Sequence, residues 1–176
     1  MVVNLGNFYS HKYKELTVHT RGVADNTIRL TSSKLAKLAA IFHDLGKLNP
    51  NFQDKLLGRQ SKGYGNHAYL SAYGVFCFYR TNQAWIKDYI GEKDFNFHLL
   101  ALVVIIAKHH GNLPNFDLPL GGLDSKECKS LFEFIETIDN LPINEFIKHF
   151  EPTVGDFNFL KGVKYQQGFM SFGLSG

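Results

Sequence analysis

The string "AIFHDLGKLNPNFQDKL", residues 39 to 55, sets His43 and Asp44 side by side at the end of an apolar run. A second pair, His109 and His110, closes the run "LLALVVIIAKHH", and His67 stands just after Asn66 at a third candidate helix end. Imidazole with carboxylate is a ligand set for Mn, Fe, Co, Ni or Zn. Neighbouring helical residues point about 100° apart, so His109 and His110 cannot both bury in one apolar face. Two imidazoles splayed around one point suit two adjacent ions, and Asp44 can bridge two ions where a histidine cannot. A histidine stabilised by the helix dipole accounts for either pair taken singly. Several such positions gathered at helix ends argue instead for a shared cleft. His98 and His149, standing alone, read as surface or core residues. Lys47, one turn past His43, is placed to contact an acidic group or a bound phosphate, and Gly46 permits the turn that would bring it there.

Helix punctuation recurs along the chain, with no strand alternation, repeat or low-complexity tract. Ser32 or Ser33 can cap a helix whose Leu35, Leu38, Phe42 and Leu45 repeat at three and four, with Gly46 as its stop. On this reading His43 and Asp44 fall in its last turn. Asn49 and Pro50 start a short helix ending near Gly58. Asn66 caps a helix from His67 to about Arg80. Asn96 caps another from Phe97 to His110, with Gly111 terminating it. Asp124 with Glu127 forms a capping box for a helix through about Ile138, and Pro142 to Phe150 reads as one more. The fold class expected is all-α. The tail from Glu151 onward carries glycines at 155, 162, 168, 173 and 176. It reads as a loosely ordered end or the edge of a longer domain.

At 176 residues, 44% of them apolar, the chain suits one globular domain with a full core. Cys77 and Cys128 are too few for a disulfide framework, so buried thiols in a reducing compartment, the cytoplasm, are expected. The longest apolar run, Leu99 to Ala107, is about half of what a membrane span needs, which predicts a soluble chain without membrane association. Residues 1–88 carry 12 Lys and Arg against 5 Asp and Glu, whereas residues 89–176 carry 7 against 11. That asymmetry suits a polyanion contacting the first half.

"HDLGK" is the signature of the HD superfamily of metal-dependent phosphohydrolases, which are all-α helical bundles with the metal site in a cleft between helix ends. The wider set resembles the HD nuclease domain of the type I CRISPR interference helicase-nuclease, including its stand-alone form. That set is "VHTRGVADN" with His19, "HDLGKLNPNFQDKL", "HAYLSAYG" with His67, and "IAKHHG". The likeness runs from about His11 to Gly111, and "FQ" nine residues after His43 with the paired "HHG" narrows it. It implies one metal on His19, His43 and Asp44, and a second on Asp44, His67, His109 and His110. Asp44 and Lys47 would be the catalytic residues, with Ser10 and His11 shaping the cleft. It also implies two divalent ions (Mn, Mg, Ni, Co or Fe(II)), single-stranded DNA as substrate, and a superfamily 2 helicase subunit or domain recruited by a guide-RNA surveillance complex. A helicase phosphate loop, GxxxxGKS/T, does not occur in the chain.

One departure stands out. The family's further Asp, from a late "ADxxxS"-like helix, has no counterpart, and Asp156 is the only acidic residue after Glu151. Either that helix lies in a C-terminal continuation or the first metal has one ligand fewer. Two other readings share the residues: a phosphohydrolase of nucleotides or cyclic nucleotides, which needs a closed base-selective pocket, and a non-catalytic adaptor with a degraded metal site. Because histidine must be neutral to bind metal, activity is expected to fall below about pH 6 to 6.5.

Overall fold

The computed structural model describes residues 4–61, 63, 65–111, 141–155 and 169. Within them, helices dominate: α1 (Leu16–Leu30), α2 (Lys34–Phe42), α3 (Pro50–Leu56), α4 (His67–Thr81), α5 (Gln83–Ile90), α6 (Phe95–Ala107) and α7 (Ile143–Phe150). Short 3-10 turns cover Leu5–Asn7 and Leu45–Leu48. The all-α class holds. The N-terminal segment nonetheless corrects the expectation of no strands, because β1 (Tyr9–His11) and β2 (Lys14–Glu15) pair antiparallel. Two strands this short cannot show an alternating pattern in the sequence.

Several caps act as expected. Ser33 Oγ accepts from the Ala36 amide, Asn49 from Asn51 and Asn66 from Ala68, satisfying amide groups that each helix start leaves open. Gly58, just past α3, takes a left-handed φ of 74°. The α6 boundaries differ. This helix starts at Phe95 behind Asp94 and ends at Ala107, so His109 and His110 lie in the turn after it rather than in its last turn. Likewise α2 ends at Phe42, with His43 as its C-terminal flank and Asp44 one residue beyond. The expected helix over 124–138, Cys128 and Asp156 fall outside the described residues.

At the centre lies α4, buried on every side from Leu70 to Tyr79, as a helix apolar around its circumference must be. It packs chiefly against α6 and against the turn Leu45–Leu48, while α1 packs on α2. Phe42 and Phe78 meet at 5.0 Å between ring centroids. Phe169, fully buried, packs on Tyr73 and Phe76 of the same central helix. On the far side, buried Glu151 accepts from Lys37 Nζ at 2.7 Å, Tyr89 Oη at 3.1 Å and Thr153 Oγ1 at 2.9 Å. That carboxylate joins α2, α5 and the end of α7.

Candidate metal centre

Four separate segments deliver the chemistry. His19 lies in the first turns of α1, His43 and Asp44 follow α2, His67 opens α4, and His109 and His110 follow α6. Gly46 explains how two of these segments come so close. Its φ is not left-handed, so it does not act as a helix stop. Instead, a Cβ at this position would overlap the backbone carbonyl of His67. The turn and the start of α4 can approach only because residue 46 has no side chain.

Asp44 is the hub, 1% exposed. Its Oδ2 lies 3.0 Å from His19 Nε2, 3.3 Å from His43 Nε2 and 2.8 Å from Lys47 Nζ. Its Oδ1 faces the other way, 3.3 Å from His67 Nε2 and 3.5 Å from His109 Nε2. His110 Nε2 stands 2.8 Å from His67 Nε2. All six residues of the expected ligand set therefore come together, and they fall into the groups His19, His43, Asp44 and Asp44, His67, His109, His110. Of the two roles open to Lys47, contact with an acidic group is the one seen. His11 sits at the rim, its ring centroid 5.2 Å from that of His19, and Ser10 Oγ is 3.2 Å from His11 Nδ1.

The tautomers are set from behind. Nδ1 of His43 donates to the Ala40 carbonyl at 2.8 Å, and Nδ1 of His109 donates to the Ile106 carbonyl at 2.7 Å. A carbonyl oxygen only accepts, so in each neutral ring Nε2 is left as a bare lone pair aimed at the carboxylate. Two acceptors facing each other across about 3.5 Å repel, and a cation between them removes the conflict. Asp44 Oδ1 and His109 Nε2 are indeed buried without a hydrogen-bond partner. This donor set, nitrogen and oxygen without sulfur, fits a divalent transition metal.

The electrostatics agree. Burial pushes His19 down to about 4, against an opposing pull from Asp44, and it also lowers His67 and His110. The Asp44 carboxyl, with the Lys47 ammonium 2.8 Å from its Oδ2, is kept as the ionised carboxylate. Neutral imidazoles around an ionised carboxylate are the protonation states that ligation needs.

Two supporting residues escaped the sequence reading. Ser71 Oγ accepts from the Gly46 amide at 2.8 Å and donates to the His67 carbonyl at 2.8 Å, fastening the same close approach. Its only sequence signal is its position four residues after His67. Gln53, noted only as part of "FQ", receives the Tyr9 amide at Oε1 (3.0 Å) and gives Nε2 to the Tyr9 and Lys47 carbonyls at 2.9 and 2.6 Å. It ties the hairpin to the turn that carries Lys47.

The sequence profile described as "Cas3, HD domain" matches residues 8–141. The chain belongs to the Cas3 HD-domain family. Membership makes it a metal-dependent nuclease of the type I CRISPR kind, acting on nucleic acid in company with a Cas3 helicase, and using divalent metal. No curated protein and no solved structure matches significantly. Among the described residues of this Cas3 HD domain, no helix is long and apolar enough to cross a membrane.

Proposed function

We propose that this Cas3 HD domain cuts single-stranded DNA with two divalent ions, one held by His19, His43 and Asp44 and the other by Asp44, His67, His109 and His110. The observation that carries this reading is the division of Asp44: one oxygen toward His19 and His43, the other toward His67 and His109. Only a carboxylate can serve two ions in that way. When bound, such a pair supplies Lewis-acid stabilisation of the scissile phosphate and of the leaving oxygen, and lowers the pKa of water.

The remaining work falls to the chain itself. The Ala40 and Ile106 carbonyls hold the His43 and His109 rings in the ligating tautomer. Lys47, 4% exposed, fixes the Oδ2 edge of Asp44 and offsets its charge. The basic first half holds the strand through its phosphates, which makes binding salt-sensitive and poor in sequence information. Strand opening is assigned to the partner, a superfamily 2 helicase subunit or domain recruited by the guide-RNA surveillance complex. Work in the cytoplasm follows from that role.

The test is cleavage of circular single-stranded DNA by chelated protein, with Mn, Mg, Ni, Co or Fe(II) restored singly, beside Asp44→Ala. Metal content is measured in parallel. Metal-dependent cutting, two ions per wild-type chain and loss of both in the variant are expected. Equal cutting by Asp44→Ala, a single ion at saturation, or hydrolysis of nucleotides without any attack on DNA would overturn the reading.

A further inference from the structure

Beside the metal centre, on an adjoining face of α3, lies a cleft of about 700 Å³ lined by Phe8, Tyr9, Tyr13, Pro50 and Leu57 together with Lys12, Arg59 and Asp54. Arg59 Nη1 lies 3.4 Å from Asp54 Oδ1, a solvent-exposed pair that a phosphate can displace. Phe52 of α3 meets the His67 ring at 5.0 Å, while its neighbour Gln53 faces the hairpin and lines this cleft. One short helix is thus the common wall. The volume is that of a small-molecule pocket, and aromatic faces beside cationic groups are what a nucleobase with its phosphate requires.

The hairpin tip shows a second, independent sign. Tyr13 is 87% exposed and sits at φ 69°, a left-handed conformation disfavoured for a bulky residue. Folding gains nothing from exposing that ring, and glycine or asparagine would hold the turn with less strain. Strain retained at an exposed aromatic marks a position kept for contact with something outside the fold. Lys12 Nζ lies 5.3 Å from the Tyr13 ring centroid, so cation and ring form one platform. The platform is anchored: Gln53 holds both Tyr9 backbone groups, Ser10 Oγ donates to the Lys14 carbonyl at 3.2 Å, and His11 touches His19.

We propose that the cleft between the β1–β2 hairpin and α3 is a nucleotide subsite, in which a base flanking the scissile phosphate stacks on Tyr13 while Lys12 and Arg59 hold its phosphate. This rests on single-stranded DNA being the substrate. The subsite gives the nuclease a grip on unpaired bases, which a duplex keeps stacked inside, and so favours single strands over double.

The experiment compares wild type, Tyr13→Asn and Arg59→Gln on metal-loaded protein, using oligonucleotides with normal or abasic nucleotides flanking the cut. Asparagine suits the left-handed turn, so the hairpin is kept. For Tyr13→Asn on normal DNA, KM should rise about tenfold with kcat within about twofold, from the loss of one stacked base. Wild type on the abasic strand should show the same rise, and the variant should no longer distinguish the two strands. Arg59→Gln should raise KM on both strands. An unchanged KM for Tyr13→Asn, or a variant that still discriminates as wild type does, overturns the subsite while leaving the nuclease intact. Failure of wild type to cut any single-stranded DNA overturns the substrate assignment, and the subsite with it.

Discussion

Asp44 and Lys47 form a buried pair, and the metal-free chain depends on it. Removing the carboxylate leaves an ammonium that is 4% exposed with no anion beside it. Asp44→Ala should therefore destabilise the metal-free protein by about 3 kcal/mol, and adding Lys47→Met should recover most of that loss. Urea unfolding of the single and double variants checks this; a double variant no more stable than the single would show that the pair is not what stabilises the turn. Acid acts on the same cluster through its histidines. His19, held by burial near 4, and the lowered His67 and His110 all sit below their ordinary value of 6.5. Above that value folded and unfolded chains bind no extra proton, so stability is full. As pH falls through 6.5 the unfolded chain takes up protons first, and stability drops by at most about 1.4 kcal/mol per pH unit for each of His19 and His67, and by much less for His110, which is exposed and screened by solvent. For His19 the loss continues down to about 4. A urea midpoint of the metal-free protein that stays flat from pH 7.5 to 5 would contradict the burial of the His19 and His67 rings.

Elements bring these residues together through two contacts that no periodicity announces. Gly46→Ala would push a methyl group into the His67 carbonyl, separating the Leu45–Leu48 turn from α4 and moving His67 away from Asp44. A loss of about 1 to 3 kcal/mol is expected, with weaker metal uptake, read by thermal unfolding and by titration with Mn. Ser71→Ala should cost about 1 to 3 kcal/mol by leaving the buried Gly46 amide unpaired. In both variants the metal affinity of the His67 side should fall more than that of the His19 side. His43, Asp44, His67, His109 and His110 were legible as a group, because several imidazoles and a carboxylate gathered at predicted helix ends argue for a shared cleft even though either pair alone has another use. α2, α3 and α4 were legible from caps and apolar spacing. α1 was not, since its buried face is Leu16, Thr20 and Ala24, a small and partly polar stripe, and Gly22 on its exposed side is a poor helix former. His19 accordingly came only through family resemblance. The shift of His109 and His110 into a turn was also hidden, because an apolar run shows that a helix exists but not where it ends.

At the scale of the whole molecule the proposed metal centre would be a cross-link as well as a reaction site. Histidines in or just after α1, α2, α4 and α6 approach one carboxylate, so ions bound there would oppose the separation of four elements at once. A substantial core lies behind them, with α4 buried from Leu70 to Tyr79 and Phe169 brought back onto Tyr73 and Phe76. The metal-free chain should therefore stay folded, unlike a small domain that lacks a core of its own. Binding to the native state alone then adds stability by mass action, about 2.7 kcal/mol when free metal is a hundred times its Kd. Titrating Mn into chelated protein should raise the unfolding midpoint of wild type progressively and leave Asp44→Ala unmoved, with helical circular dichroism nearly the same at both ends of the titration. If circular dichroism instead showed helix appearing only with metal, the core would be insufficient alone. A midpoint indifferent to metal would mean that the four elements are not joined through Asp44. The same titration on Phe169→Ala separates the two sources of stability: its midpoint should start lower, by the loss expected for a buried ring, about 3 kcal/mol or more, and rise with metal as far as wild type does, because the ring contacts of Phe169 run to Tyr73 and Phe76 of the central helix and the ligand cluster is centred on Asp44.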